Sequence, residues 1–508
     1  MIANITARCR TLSLAHRAVL CCALLFSVSQ LAALPAGAEI WAEPGDIALR
    51  NDLQLLADYG VIRAPGQTWP RPWPEIATAV EEAGTDGLPE HVVAALARVR
   101  YLAGRAGRTE NLDIKVGLAA AQSPTKLRTF DDRPREAVEG SVSVAGIGEY
   151  TAGKLRVTGV LRPDDDKRLR LDGSYGALLL GNWIVSAGYV DRWFGPGQDG
   201  SLILSDNARP IPSVSIERNH ADAYENFLLS WIGPWRLGMT YGVLDDGVAV
   251  PDAHFITIRA TARPLESLEL GLSRVVIWCG QDRPCGLGAF RDVFIGNESQ
   301  KQSGDNPGNQ LASLEFRYRL PREWVPVAVY GMLAAEDSIS PNGKPDLKDY
   351  LPKRQMLQFG AEFWGGIGAT SIRGHIEYAD TVCRYSVPDP DFGCAYAHHI
   401  YTDGYRYRGR AIGHSMDGDG RMYSAGATVV DDHGDPWTVL IRHVELNMAG
   451  ETLGNTVSKT PEKLYNIELS HSRKVQLGRI DIGLGYDHVY EGTGRDRARA
   501  QLGFTIDL

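Results

Sequence analysis

The sequence is short of the features that mark most soluble enzymes and nucleic-acid binders. Basic residues are not in excess: 53 Lys+Arg stand against 62 Asp+Glu, a formal net charge of −9. A mildly acidic chain lacks the electrostatic footprint that a nucleic-acid partner requires. Long apolar runs are missing after residue 38, where no segment reaches the ~18 unbroken apolar residues of a membrane helix. That leaves an exported soluble protein or a β-barrel. Cysteine is scarce. Of the seven, Cys9, Cys21 and Cys22 fall within the first 38 residues, and the other four form two close pairs, Cys279/Cys285 and Cys383/Cys394. In an exported chain, disulfides are the natural reading of such pairs. A metal site is the rival reading, but the pairs are far apart in sequence and neither is Cys-x-x-Cys.

Catalytic signatures are missing as well. Gly195, Gly197 and Gly200 match a dinucleotide fingerprint by letters, but Pro196 interrupts it and no helix follows. Gly413-His414-Ser415-Met416-Asp417 lacks the final glycine of a nucleophile elbow. Asp417-Gly418-Asp419-Gly420 is too short for a calcium loop. His398-His399 would point to opposite faces if it lay on a strand. The expectation is a protein without catalysis, cofactor or metal.

What the chain does have is glycine and tyrosine, 55 and 20 respectively, a combination that suits a large β-structure with tight turns and interfacial aromatics. Residues 1–38 read as an export signal. Arg8, Arg10 and Arg17 precede or flank the apolar stretch Ala18–Val28, and Ala36-Gly37-Ala38 is a small-residue cleavage site. Cleavage near Ala38 is expected, with no lipid anchor. Residues 39–104 read as three short helices: one capped by Asp46 and stopped at Gly60, one after Pro74, and one from Pro89 to Gly104. So small a bundle is short of core and should dock on something larger.

From Leu112 the period changes to two. Leu314, Phe316, Tyr318 and Leu320 alternate with Glu315, Arg317 and Arg319; Ile372, Gly374, Ile376 and Tyr378 alternate with Arg373, His375 and Glu377. Each strand has one greasy and one charged face. The strands, about eighteen over residues 111–508, are joined by alternately long and short connections. Such alternation fits an up-and-down barrel, whose greasy face meets lipid, and gives a Greek-key sandwich no advantage. The predicted fold is an all-β, antiparallel outer-membrane β-barrel with a small N-terminal helical plug. Trp183, Trp231, Trp235, Trp324, Trp364 and Trp437 all sit beside short turns, as an aromatic girdle would. The last strand, Leu502, Phe504, Ile506, Leu508, is built like the closing strand that barrel-insertion machinery reads.

The longest unusual stretch is Trp193–Asp222, read as a packed loop between strands at Trp183–Arg192 and Ala223–Ile232. Its apolar residues should hold it inside the barrel. With the helical plug it would occlude a lumen that otherwise conducts. The mixed charges predicted to line that lumen, Arg156, Arg317, Arg319, Arg373 and Arg442 against Glu315, Glu362, Glu377, Glu468 and Asp481, suit a cross-linked interior rather than an ion filter.

Trp-Phe-Gly-Pro-Gly-Gln-Asp-Gly-Ser-Leu-Ile-Leu-Ser-Asp-Asn-Ala-Arg-Pro-Ile-Pro, beginning at Trp193, resembles the signature region of the capsule-assembly Wzi family of lectin-like outer-membrane barrels. Pro44–Ile76 and Arg421–Gly426 extend the resemblance over nearly the whole chain after residue 38. The resemblance implies a surface protein that binds polysaccharide and helps attach or assemble a capsule or exopolysaccharide layer. A porin or transport channel is the alternative. Thr381–Gly420, rich in tyrosine and arginine, is the main candidate for recognition, because aromatic faces stack on sugars and arginine forks pair with carboxylates. The candidate contacts are Trp193, Asp199, Asn207, Arg209, Tyr385, Tyr401, Tyr405, Arg406, Tyr407 and Arg408. A rim loop packed on its neighbours and pinned by Cys383–Cys394 is the competing reading. The expected partners are an acidic surface polysaccharide, outer-membrane lipid and the barrel-insertion machinery. A monomer is expected, since the turns and rim carry no obvious apolar patch.

Overall fold

The computed structural model describes residues 39–108, 112–245, 247–294, 308–321, 324–336, 354–383, 392–450 and 454–508. Residues 1–38, read above as an export signal, and Tyr385 lie outside the described residues.

Three helices precede the barrel. The first, α1 (Ile47–Asp58), starts where Asp46 Oδ1 accepts a hydrogen bond from the Leu49 amide at 2.9 Å, and Gly60 follows its end at φ +79°. Helix α2 (Trp73–Glu81) carries proline in its first turn, where a missing N–H costs nothing. Helix α3 (Glu90–Ala106) runs two residues past Gly104, which therefore does not end it. Leu53, Leu56, Ile76, Val80, Val92, Leu96 and Val99 share one buried cluster, joined by Ala328 and Trp364 from the barrel wall. The helices thus complete their core by sitting in the barrel.

The wall contains eighteen strands: β1 (Asp113–Ala121), β2 (Val138–Ile147), β3 (Thr151–Leu161), β4 (Tyr175–Leu180), β5 (Trp183–Gly188) and β6 (Ser213–Arg218). They continue as β7 (Trp235–Leu244), β8 (Ala253–Leu265), β9 (Leu268–Trp278), β10 (Gly308–Arg319), β11 (Val327–Glu336) and β12 (Arg354–Ile367). The last six are β13 (Thr370–Asp380), β14 (Arg421–Val430), β15 (Pro436–Leu446), β16 (Glu462–Val475), β17 (Gly478–Glu491) and β18 (Arg497–Asp507). Leu169–Arg170 is a detached start of β4 on the same neighbour, β3. Each strand pairs antiparallel with the next, and β18 closes on β1 with Leu502 opposite Ala120 and Ile506 opposite Val116. Closure removes every free sheet edge. The period of two decides the facing: on β10, Leu314 is exposed to the outside while Glu315 and Arg317 are buried within.

Three expectations change. The strand at Ala223–Ile232 is not formed. That segment is a turn ending in a 3₁₀ helix at Ser230–Ile232, and its unbroken Phe227-Leu228-Leu229 has no alternation to make one greasy face. The strand lies instead at β6, inside the stretch read as loop; Val214 and Ile216 face out and Ser213 and Ser215 face in. The inward loop is therefore Tyr189–Pro212. Trp364 does not join an outer girdle, being only 3% exposed against the plug. Trp231 and Trp324 do stand out at the turn end, and Trp437 stacks on His471 at 3.9 Å.

Candidate functional site

The lumen is filled in two layers, each tied to the wall by charge. In the lower layer, Asp58 of α1 accepts from Arg317 at 2.7 Å and Arg373 at 2.8 Å, and Glu362 bridges the same two arginines. Burying one such charge unpaired would cost several kcal/mol, so the carboxylates and guanidiniums hold one another in register. Asn51 donates to Ser371 at 2.9 Å, and Arg263 donates to the carbonyls of Ala57 and Ile62.

The upper layer is Tyr189–Pro212 together with the outer segments folded down on it. Glu377 on β13 accepts the backbone amides of Gln198, Asp199 and Gly200 at 2.7, 3.2 and 3.3 Å. Tyr330 and Gln358 donate to the same carboxylate, both at 2.8 Å. The glycines of this stretch have a packing reason. A Cβ on Gly200 would lie 2.1 Å from His414 Nε2, and one on Gly197 would lie 2.1 Å from the Gly200 carbonyl. Asp199 pairs with Arg442 of β15, which also reaches Glu468 of β16. Glu468 in turn accepts from Arg133 and Arg499.

Above this, the outer segment after β13 folds inward rather than reaching into solvent. Residues 411–420 are all buried. Ser205 donates through its amide to Ile412 O and through its hydroxyl to Gly413 O. Burial pushes His414 down to about 4, so its ring is neutral under physiological conditions. Burial also raises Asp206 to about 7, with Arg128 and Arg135 opposing the shift. Disulfides join Cys279 to Cys285 and Cys383 to Cys394. Tyr401 links the two disulfide loops by donating to Cys279 O at 3.0 Å.

The sequence over residues 115–497 matches the family described as capsule assembly protein Wzi. The chain belongs to the Wzi family. It is 30% identical over 468 residues to an uncharacterised 55.8 kDa protein in the cps region of Klebsiella pneumoniae, covering 91% of this chain and 88% of that one. Among solved structures, it superposes on Wzi of Escherichia coli with a TM-score of 0.80 at 27% identity, covering 92% of this chain and 99% of that one. That protein is described as an outer-membrane, carbohydrate-binding β-barrel involved in group 1 capsule assembly. The present Wzi-family chain is likewise an outer-membrane barrel.

Within this Wzi-family barrel, the residues singled out from sequence come together, but as bracing. Trp193 is fully buried beside Phe130, with the Arg50 guanidinium over its ring. Asp199 holds Arg442. Asn207 donates to Ala411 O at 2.8 Å. Arg209 pairs with Asp165 and Asp172. Tyr405 is buried and donates to Ile203 O at 2.6 Å. Arg406 pairs with Asp417 at 2.7 Å. Tyr407 is buried with Arg408 over its ring, and Arg408 pairs with Asp245. Buried as they are, Trp193, Asp199, Asn207, Tyr401, Tyr405, Arg406 and Tyr407 cannot lie against an external polymer in this arrangement. The rim-packing alternative describes them better.

His398 and His399 sit in an irregular, bent stretch, not a strand, with ring centroids 4.5 Å apart, so the opposite-face argument does not apply to them. Among the described residues no third metal-ligating side chain joins them. His398 Nδ1 instead accepts from the Ile400 and Tyr401 amides.

Sequence reasoning read Ser123–Glu136 only as a connection. It is a third filling piece: Phe130 packs on Trp69 and Trp193, and Arg135 donates to the carbonyls of Asp206, Asn207 and Ala208. Four arginines or lysines within ten residues (Lys126, Arg128, Arg133, Arg135) were the available signal.

Proposed function

We propose that this barrel binds an acidic polysaccharide at the cell surface and helps attach or assemble it as a capsule or exopolysaccharide layer. The observation that carries this reading is the filled lumen beneath a cross-braced outer end. Helices, inward loop and outer segments lock together by buried ion pairs and two disulfides, which suits a fixed platform better than a passage. Tyr401, Tyr405, Arg406 and Tyr407 form the frame of that platform. Residues left exposed at its tips, such as Phe392, His399, Thr402 and Asp403, are available to touch polymer. Single contacts of this kind are weak, but a repeating polymer sums them. The barrel acts as a monomer, seated in lipid by its greasy outer face. The insertion machinery reads its closing strand, whose outward side chains are Leu502, Phe504 and Ile506.

The test is a deletion strain of the source bacterium, with cell-bound and shed high-molecular-weight polysaccharide measured separately. Unchanged total production with most polymer shed is the expected result. Unchanged fractions would overturn retention as the role.

A further inference from the structure

The outer-end arginines fall into two kinds. Arg133, Arg170, Arg209, Arg406, Arg408 and Arg499 each pair with a carboxylate. Arg128, Arg135 and Arg410 do not, and neither does Lys126; among the described residues no ion pair involves any of the four. Arg135 spends its donors on the carbonyls of Asp206, Asn207 and Ala208, and Asn207 reaches Ala411, the neighbour of Arg410. Arg128 donates to Arg133 O at 2.9 Å, yet its Nε is buried with no partner, in a side chain only 3% exposed. Arg410, on the hairpin Arg406–Ala411, makes no side-chain hydrogen bond among the described residues and remains partly open to solvent. Lys126 Nζ meets only the Val457 carbonyl, at 3.1 Å.

Arg410 faces the other three. Burial, then Arg128 and Arg135, holds Arg410 down to about 10. Burial, then Arg410 and Arg497, lowers Lys126. The carboxylates facing Arg410 are Asp164 and Glu136, and Glu136 is committed to Arg170. Like charges brought together are unfavourable by themselves; Asp191, Asp206 and Asp172 offset this at Arg135, and Asp164 at Arg410, without an ion pair to either among the described residues, and an orphaned buried guanidinium N–H adds a desolvation cost. An anion entering beside Arg410 would relieve the repulsion.

We propose that Arg410, Lys126, Arg128 and Arg135 form an anion-binding station at the outer mouth that takes the carboxylates of an acidic sugar polymer. Arg410 and Lys126 are the accessible members that touch it; Arg128 and Arg135 supply fixed positive charge behind them. Planar guanidinium donors match a carboxylate bidentately, which a neutral sugar cannot exploit. This station rests on the carbohydrate-binding reading above and names the chemistry that reading would select.

The experiment is titration calorimetry on the purified full barrel in detergent, with an oligogalacturonate, a neutral malto-oligosaccharide of equal length, and inorganic phosphate as separate ligands. Wild type is expected to bind the oligogalacturonate, more weakly as salt rises. Arg410→Ala combined with Lys126→Ala should lose about tenfold or more in affinity for it, while Arg410→Lys keeps part of the binding. Heat-modified gel mobility checks that each variant is folded. Folded double variant with unchanged oligogalacturonate affinity overturns the station and leaves the carbohydrate reading standing. Wild type that binds neither sugar overturns both. Phosphate binding without oligogalacturonate binding overturns the assignment to a sugar carboxylate.

Discussion

Arg442 on β15 and Asp199 in the inward loop meet at 2.6 Å, and neither side chain has any exposure to solvent. Residues 243 positions apart in the chain are thereby fixed to each other at the barrel's centre. Removing one partner leaves a buried charge uncompensated, at a cost of about 3–5 kcal/mol. Asp199→Ala and Arg442→Met should each release the inward loop, seen as new protease cleavage within residues 189–212. Replacing both by leucine should restore much of the protection. If the single variants resist protease as wild type does, the pair does not hold the loop.

The ion pairs around Glu468 should also resist ion passage. A crevice of about 100 Å³ runs between the plug and the wall, lined by Asp46, Leu49, Arg98, Leu102, Lys474 and Arg479 among others, and reaches up to Asp131–Arg133. There Arg133 meets Glu468. Wild-type protein in a planar bilayer should show no wide-pore steps, and Arg133→Ala should raise small-ion leak. Large stable conductance of the wild type would mean the filling is not retained in a membrane.

Gly200 admits no side chain, because a Cβ there would overlap the His414 ring. Gly200→Ala should destabilise the packed loop by about 1–3 kcal/mol, as overpacked sites do. The readout is a lower temperature for the folded-to-unfolded shift in gel mobility. Gly104→Ala is the control, since nothing lies within 4 Å of a Cβ there.

Stability should fall with acid partly through His414. Its folded value, about 4, lies below the ordinary value of about 6.5, so between those limits the unfolded chain takes up a proton that the folded protein refuses. The stabilisation is complete above about 6.5 and is lost as pH falls toward about 4, amounting to roughly 3 kcal/mol. Comparing wild type with His414→Gln at pH 7.5 and pH 4.5 isolates this contribution. The variant should lose less than wild type on acidification; equal losses would refute it.

The Cys383–Cys394 bridge closes a separation of 11 residues, worth about 3 kcal/mol by loop-closure entropy. Because it braces the outer segment and not the wall, replacing both cysteines with alanine should expose that segment to protease while the barrel's unfolding temperature stays close to wild type.

The barrel was legible because lipid and lumen impose opposite demands on alternate residues, and Leu314/Glu315 or Ile376/Glu377 display that directly. Parity could have carried the reading further. Trp364 lies two residues from Glu362 and so shares its inward face, which the position beside a turn concealed. Ser213–Arg218 alternates as a strand should, but the Pro-rich run before it and the apolar Phe227–Ile232 after it drew the boundary outward. The candidate site was less legible. Tyrosine and arginine in an outer loop bind sugars or brace loops with the same atoms; only burial separates the two uses. Asp417, the partner of Arg406, gives no local sign of that role.

The inward course of the chain after Cys383 has a consequence for how such proteins diverge. Residues 411–420 are enclosed, and Tyr396, Tyr405 and Tyr407 are enclosed with them. Among the described residues of this segment, mutational drift is therefore confined to a few outward positions, such as His399, Thr402, Asp403 and Gly409. Strains that coat themselves with different polymers would have to be told apart there, at the tips, while the letters beneath stay constant as scaffolding shared by all of them.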